Sequence, residues 1–322
     1  MALVTPGGRG SVDPRMRALV TGATGAVGGR LARALADRGH EVRCLVRDRD
    51  GASDLEDEGF DLHEGDLLDA ASLKGAGRDV DLAYYLVHSM GRGGDDDFAE
   101  RDRQTARAFA AMARDDGVDR VAYLGGLGGD DPQSEHLRSR AESARILKAE
   151  GPELTYFRAA MVVGAESESY RTLRCLVERL PVMLAPSWLK VRTQPIGIDD
   201  TIAYLAQASE VAESAGREVQ IGGRDIVTYG EALDRMAAVL GRRSPLKVPV
   251  PLLSPRLSSR WIGLVTPVDS GVARPLIEGL STETVVTDPS GARLFDVDPL
   301  PFDEMLRRAL AEDRARVSGA VA

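Results

Sequence analysis

Three glycines near the amino terminus have the spacing of a phosphate-binding turn. Gly22, Gly25 and Gly28 follow a short apolar run, and a helical pattern of apolar residues starts directly after them. Glycine permits the tight turn, the approach of backbone to phosphate and the close helix packing that such a turn requires. With a second apolar run at 42–46, the segment predicts a dinucleotide site at a helix N-terminus. The backbone N–H groups of residues 24–27 are predicted to face the phosphates, and the predicted cofactor-binding residues of the turn are Gly22, Thr24, Gly25, Ala26, Val27 and Gly28.

The residues after the second apolar run discriminate between the two nicotinamide dinucleotides. A basic side chain there pairs with the 2′-phosphate of NADP, whereas an acidic one accepts hydrogen bonds from the ribose of NAD. Arg47 stands first and Asp48 follows it. We therefore predict NADP(H) as the preferred cofactor, with NAD(H) kept open by Asp48.

Two further loops, each following a predicted strand, are expected to lie near the glycine turn. After the run 61–64, Asp66 is placed to accept a hydrogen bond from the adenine amino group and Leu67 to cover the ring; the alternative is that Asp66 caps the next helix. After the run 82–87, Val87 and His88 should pass beside the nicotinamide ribose. His88 either donates a proton to a reduced carbonyl or only hydrogen-bonds backbone or cofactor.

These residues need a sheet whose strands end at a common edge. Short apolar runs alternate with helical patterns from Met16 to about Gly164, which predicts an α/β fold with a doubly wound parallel Rossmann sheet. The predicted strands are Arg17–Val20, Glu41–Val46, Asp61–Glu64, Leu82–Val87, Val121–Leu124 and Leu154–Arg158. The predicted helices are Ala26–Asp37, Ala52–Asp57, Ala70–Gly75, Asp96–Asp116 and Ser134–Ala149.

The pattern changes after Gly164. There the predicted helices are Ser167–Leu180, Asp199–Ala208 and Tyr229–Leu240, and they alternate with short predicted strands at Lys190–Ile196 and Glu218–Ile221. Residues 1–15 are predicted to be a disordered extension, 16–164 the NAD(P)-binding Rossmann domain, and 165–322 a smaller C-terminal α/β lobe over the strand ends, with substrate between the lobes. Apolar surface in the second lobe either lines a pocket for a hydrophobic substrate or forms core or a subunit contact. It is contributed by Met183, Trp188, Val248–Leu253 and Trp261–Pro267.

Composition excludes several classes of function. The 322 residues carry a net charge of −9, which argues against nucleic acid and against anionic membrane surfaces as partners. There is no cluster of Cys and His with metal-ligand spacing and no apolar run of transmembrane length. The two cysteines are expected to be buried thiols. We expect a cytoplasmic protein with a small-molecule substrate of unknown identity and an oligomeric state that the sequence leaves open.

The chain resembles the extended and atypical branches of the short-chain dehydrogenase/reductase superfamily, and within them the NAD(P)H-binding, NmrA-like and epimerase-like proteins. The resemblance covers roughly Met16 to Leu280. The motifs that carry it are Thr21–Gly28, Gly65-Asp66, Tyr85–Met90, Tyr123–Gly128 and Arg158–Ala160, with weaker ones at Gln194–Ile196, Asp199-Asp200 and Ile221–Gly223.

The departure from this family concerns catalysis. Typical members carry a Ser after the fifth strand and Tyr-x-x-x-Lys in the next helix, where Lys lowers the pKa of Tyr. Here the strand ends in Gly125-Gly126, and by spacing His136 and Arg140 stand at the Tyr and Lys positions. Arg140 can bind the nicotinamide ribose and contribute charge but cannot release a proton near neutral pH. His136 is an acid/base or is structural, and Tyr84 and Tyr85 are further hydroxyl candidates, one of them expected in the core.

Two functions follow from these observations. The first is an atypical, NADP-preferring oxidoreductase acting on a small or hydrophobic carbonyl or quinone-like substrate, with His88, His136 and Arg140 as the catalytic candidates. The second is a catalytically silent NAD(P)H-binding regulatory or accessory protein, similar to NmrA-like regulators or to the Rossmann-type accessory subunit of respiratory complex I. The absent Ser and Tyr favour the second function. The cleft, the His88 loop and the large second lobe favour the first.

Overall fold

A seven-stranded parallel sheet is the centre of the fold. The computed structural model describes residues 15–88, 98–128, 134–185, 187–249 and 280–319. The sheet strands are β1 (Arg17–Thr21), β2 (Glu41–Val46), β3 (Asp61–Glu64), β4 (Leu82–Tyr85), β5 (Arg120–Gly126), β6 (Glu153–Ala159) and β11 (Glu218–Ile221). Their spatial order is β11-β6-β5-β4-β1-β2-β3, and every neighbouring pair is parallel. The predicted doubly wound α/β fold is confirmed.

Helices cover both faces of this sheet. The helices are α1 (Ala26–Asp37), α2 (Ser53–Asp57), α3 (Phe98–Asp115), α4 (Glu135–Glu150), α5 (Glu168–Arg179), α6 (Ile198–Gln207), α7 (Tyr229–Val239) and α8 (Phe302–Gly319). Neighbouring residues of one strand enter different cores: Val20 packs in the cluster with α1 and α6, and Leu19 in the cluster with α3 and α4. A sheet buried on both faces explains why its strands are continuous apolar runs.

A separate apolar cluster forms next to the carboxyl ends of the strands. It is built from α5, α7 and α8, with Leu173, Leu233 and Leu306 among its buried residues. Local sequence signals start these helices: Ser167 caps α5, and Thr228 with Glu231 forms a capping box on α7. Short strand pairs border the cluster. These strands are β7 (Val162–Val163), β8 (Val182–Ala185), β9 (Arg192–Thr193), β10 (Ile196–Gly197), β12 (Val227–Thr228) and β13 (Leu246–Pro249).

The predicted division of the chain needs one correction. The strand predicted at 218–221 for the second lobe is the edge strand of the large sheet, and α6 packs against α1. Sequence order therefore does not separate the two parts at residue 164. The predicted strand at 190–196 is likewise wrong, since residues 187–190 form a 3₁₀ turn before the two short strands β9 and β10.

Some predicted segments cannot be compared with the structure. The amino-terminal extension up to residue 14, and the apolar segments at 250–253 and 261–267, lie outside the described residues. None of the helices in the described ranges combines the length and apolar character that crossing a bilayer requires.

Candidate functional site

The glycine turn between β1 and α1 has the geometry of a phosphate cradle. Gly22 has a φ of +66°, which favours glycine. A Cβ on Gly28 would overlap the carbonyl oxygen of Gly22, so this glycine lets α1 start directly against the turn. Gly25 is the N-cap residue, it is exposed, and no side chain caps the helix. The first amide groups of α1 therefore stay available to an anion.

Two arginines follow β2, and only one of them is held by contacts with other described residues. Arg49 contacts Glu56 at 3.1 Å and donates to the carbonyl oxygen of Leu62 at 2.7 Å. Asp48 accepts a hydrogen bond from the backbone of its own loop. Arg47 is exposed and makes no ion pair within the described part of the chain. Of the two arginines, Arg47 is thus the one available to a phosphate.

The adenine-side prediction needs a correction at Leu67. Asp66 accepts a hydrogen bond from the amide of Leu68 at 2.9 Å and lies at the sheet edge. Leu67 is buried in the core under the sheet, with 6% of its surface exposed, whereas Leu68 is 55% exposed. The exposed apolar side chain at this position is therefore that of Leu68. Residue type alone could not distinguish the two adjacent leucines.

His88 lies after β4, where the loop passes the glycine turn. The side chain of Val87 would lie 3.5 Å from a Cβ on Gly22, so this loop and the turn are in contact. The ring of His88 meets Tyr123 edge to face at 6.2 Å. Burial, with the nearby charge of Arg140, holds the pKa of His88 well below its ordinary value. His88 is neutral near pH 7 and is poorly suited to donate a proton as an imidazolium.

His136 and Arg140 lie on one face of α4 and both line the same cavity as His88. His136 is 9% exposed, and burial with the charge of Arg140 lowers its pKa to about 3. Its Nδ1 and the Nε of Arg140 are buried without a hydrogen-bond partner among the described residues. The structure thus brings the three predicted catalytic candidates to one cavity. His88 and His136 are neutral imidazoles there, and Arg140 supplies a permanent positive charge.

Side chains crowd the space beside the two glycines at the end of β5. A Cβ on Gly125 would lie 2.7 Å from the ring of Tyr156, and one on Gly126 would lie 2.5 Å from Leu137. Tyr156 stacks on Tyr123 with ring centroids 5.4 Å apart. An aromatic pair and a leucine therefore fill the space that a serine side chain would need at these positions.

Neither Tyr84 nor Tyr85 reaches the site. Tyr84 donates to the carbonyl oxygen of Leu205 at 3.1 Å, and Tyr85 is 2.8 Å from the hydroxyl of Thr105. Both side chains are almost completely buried, on opposite faces of the sheet. The expectation that only one of them enters a core is wrong because helices cover both faces.

A cavity of about 450 Å³ is lined by residues at the carboxyl ends of the strands and by residues of the second apolar cluster, and Val27 of the first turn of α1 also lines it. On the sheet side it is lined by Val27, His88, Gly126, His136 and Arg140. On the other side it is lined by Leu173, Leu176, Trp188, Tyr229 and Leu233. Trp188, predicted to line a pocket or a core, does line this cavity, whereas Met183 is fully buried in the core.

Two polar groups in this wall were not predicted. The indole Nε1 of Trp188 and the hydroxyl of Thr172 are buried without a hydrogen-bond partner among the described residues. The helical spacing of Ser169, Thr172 and Leu176 places them on one face of α5 and is the only sequence signal that relates Thr172 to the cavity.

No described cluster of His, Cys, Asp and Glu has the arrangement of a metal site. Both cysteines are buried, and neither is in a disulfide. Burial raises the pKa of Cys44 to about 12, so its thiol stays protonated and unreactive.

Residues 22–173 match the protein-family model described as NAD(P)H-binding. Three proteins of known name are similar in sequence to this chain. Sterol demethylase protein B of Methylococcus capsulatus is 30% identical over 46% of this chain and 52% of its own length, so the chain spans about half of that relative. The (4-alkanoyl-5-oxo-2,5-dihydrofuran-3-yl)methyl phosphate reductase of Streptomyces griseus is 27% identical over 70% of this chain and 74% of that protein. Ceramide reductase of Caulobacter vibrioides is 27% identical over 91% of this chain and 92% of that protein.

Solved structures show the same fold. An NADPH-dependent quinone oxidoreductase from Escherichia coli, solved with NADPH, has a TM-score of 0.71 at 19% identity. The similarity covers 92% of this chain and all of that one. At this level of identity the likeness concerns the fold.

Proposed function

We propose that this chain, whose residues 22–173 match the NAD(P)H-binding family model, is an NADP(H)-dependent reductase of a hydrophobic carbonyl or quinone-like substrate. The observation that carries the proposal is the cavity whose lining joins Val27, which lies between Gly25 and Gly28, to apolar residues of the second cluster. A cofactor lying on the turn would have its reactive ring beside a space suited to an apolar molecule.

The turn and its flanks fit a dinucleotide with a 2′-phosphate. The exposed Gly25, the uncapped start of α1 and the free Arg47 are the groups that such a cofactor would meet. Asp66 would accept from the adenine amino group. Val87 and His88 would border the nicotinamide ribose, and Arg140 would bind it.

The reaction would rely on electrostatic stabilisation. A bound NADPH would supply a hydride, which adds to the carbonyl carbon while the carbonyl π electrons move to the oxygen. Arg140 carries a positive charge that makes no ion pair in the described residues, so it is available to the developing oxyanion. His136 is neutral and would contribute a ring N–H donor. Since neither imidazole is charged near pH 7, the oxygen takes its proton from water.

The name of each relative supports part of this proposal. Two of the three relatives are named reductases, and the solved neighbour is a quinone oxidoreductase. The names sterol demethylase and ceramide reductase refer to large apolar molecules, which agrees with the lining of the cavity.

The test is NADPH consumption in the presence of hydrophobic ketones, enones and naphthoquinones, followed by the loss of NADPH absorbance. We expect turnover with at least one class and a loss of about a hundredfold in kcat for Arg140→Gln, the size of effect seen when an oxyanion donor is removed. Arg145→Gln, an exposed arginine on the same helix, should turn over at the normal rate. Tight NADPH binding without turnover of any probe would refute the reductase and support the silent binding protein.

A further inference from the structure

The wall of the cavity opposite the glycine turn contains an unexplained hydrogen-bond donor. Trp188 is 5% exposed and lines the cavity, yet its indole N–H has no partner among the described residues. Its ring is fixed by an edge-to-face contact with Tyr229, with centroids 6.1 Å apart. An indole N–H can only donate, so it needs an acceptor oxygen or nitrogen.

The neighbouring polar groups do not supply this acceptor. The hydroxyl of Tyr229 is within hydrogen-bonding reach of Thr193 and Thr284, and Thr284 donates to Thr193 at 2.8 Å. These three groups satisfy one another, whereas Trp188 and the hydroxyl of Thr172 stay unpaired. Buried polar groups in folded proteins are nearly always hydrogen-bonded, so an unpaired donor beside a cavity indicates a ligand or a water there.

We propose that Trp188 is a specificity-determining residue that donates a hydrogen bond to a second oxygen of the substrate, remote from the reacting carbonyl. The proposal rests on the reductase function above. Thr172 lies on the same side of the cavity and serves the same polar end, because its hydroxyl can donate or accept.

This placement defines the class of substrate. The reacting carbonyl faces Arg140 and His136 at one end of the cavity, and the second oxygen faces Trp188 at the other. The lining also includes the apolar side chains of Leu127, Leu137 and Met161, which suits a hydrocarbon spacer. The substrate is therefore an apolar carbonyl compound with a distant hydroxyl, ether or amide oxygen. A plain hydrocarbon ketone would leave the indole N–H unpaired and would bind more weakly.

The test moves one oxygen along an otherwise constant chain. The probes are methyl octyl ketone and a series of keto ethers in which an oxygen replaces, in turn, each chain methylene except the one bonded to the carbonyl carbon. Affinity for the NADP⁺-loaded protein is measured by calorimetry, without turnover. We expect one ether position to bind about tenfold tighter than the hydrocarbon ketone, the effect of one well-placed hydrogen bond. In Trp188→Phe this preference should fall below about twofold.

Two variants complete the experiment. Thr172→Val exchanges a partly exposed side chain for one of similar shape and should also reduce the preference. This variant carries the test in case Trp188→Phe does not fold. Tyr229→Phe removes a hydroxyl that is already paired and should keep the preference.

The outcomes separate this inference from the proposed function. Equal affinity for all ethers, or a preference that survives in both Trp188→Phe and Thr172→Val, overturns the assignment and leaves an internal water as the partner of the indole. Binding of the ketones with the same oxygen preference but without reduction by NADPH contradicts the reductase and not the role of Trp188.

Discussion

At the residue scale, Arg47 is the side chain on which cofactor preference depends. It is exposed and free of ion pairs among the described residues, whereas Arg49 is held by Glu56. We expect Arg47→Glu to weaken NADPH binding by about tenfold to a hundredfold, the value of a charged hydrogen bond, with little effect on NADH. Arg49→Gln should keep the preference for NADPH. Fluorescence titration with both cofactors measures this, and unchanged NADPH affinity in Arg47→Glu contradicts the assignment.

Residue types at strand ends could be predicted to meet at one edge, but not the direction of each side chain. The sequence identified His88, His136 and Arg140 as catalytic candidates, and the structure places all three in the lining of one cavity, where their roles stay a prediction. The sequence could not distinguish Leu67 from Leu68, since the chain leaves regular strand geometry after β3 and alternation no longer applies. The low pKa of His136 also had to come from the structure, because it depends on burial.

At the element scale, two glycines in the turn between β1 and α1 have different roles. A Cβ on Gly28 would overlap backbone atoms of Gly22, which cannot move without displacing the strand. A Cβ on Gly25 would meet only the oxygen of Gly22, at 3.2 Å, and would otherwise face the proposed phosphate position. We expect Gly28→Ala to destabilise the fold by about 1–3 kcal/mol. Gly25→Ala should cost less than about 1 kcal/mol but weaken NADPH binding by at least about tenfold.

Urea unfolding and NADPH titration of both variants measure the two effects. The pattern expected is a stability loss in one variant and an affinity loss in the other. A stable Gly28→Ala protein, or a Gly25→Ala protein with normal NADPH affinity, would show that these glycines have other roles.

Local sequence patterns predicted most helices and strands of the fold. They did not predict how these elements pack together. The helix predicted at Ala26–Asp37 has the observed bounds because apolar periodicity and the glycine turn both fix it. The strand at 218–221 was also predicted correctly, but its place beside β6 depends on a long-range pairing that four residues cannot specify. The same limit explains why the packing of Tyr156 over Gly125 was not predicted.

At the scale of the whole molecule, the candidate site lies between the large sheet and the second cluster. Helix α8 contributes Phe302 and Leu306 to that cluster, and its Glu312 pairs with Arg30 on α1. The last helix thus connects the two parts that together form the cavity. Because the cavity wall holds His88 and the buried His136 as neutral rings, the site affects the stability of the complete fold.

Acid should unfold the protein partly through His136. Its pKa is about 3 in the folded chain and near 6.5 when unfolded. Above about pH 6.5 both states are neutral and the residue has no pH-dependent effect. Between these two values only the unfolded state binds the proton, so stability falls as the pH falls, by about 2 kcal/mol at pH 5.

His136→Gln removes this titration. We expect the free energy of unfolding, measured in urea at about pH 7.5 and pH 5, to fall by about 2 kcal/mol more in the parent protein than in the variant. Carboxylates such as Glu41, whose pKa is lowered by its hydrogen bond with Arg17, contribute equally to both proteins and cancel in the difference. Identical pH dependence in the two proteins would mean that His136 gains a proton in the folded state at pH 5. Its imidazolium would then be available to donate that proton to a substrate, and the proton source assigned to water would have to be revised.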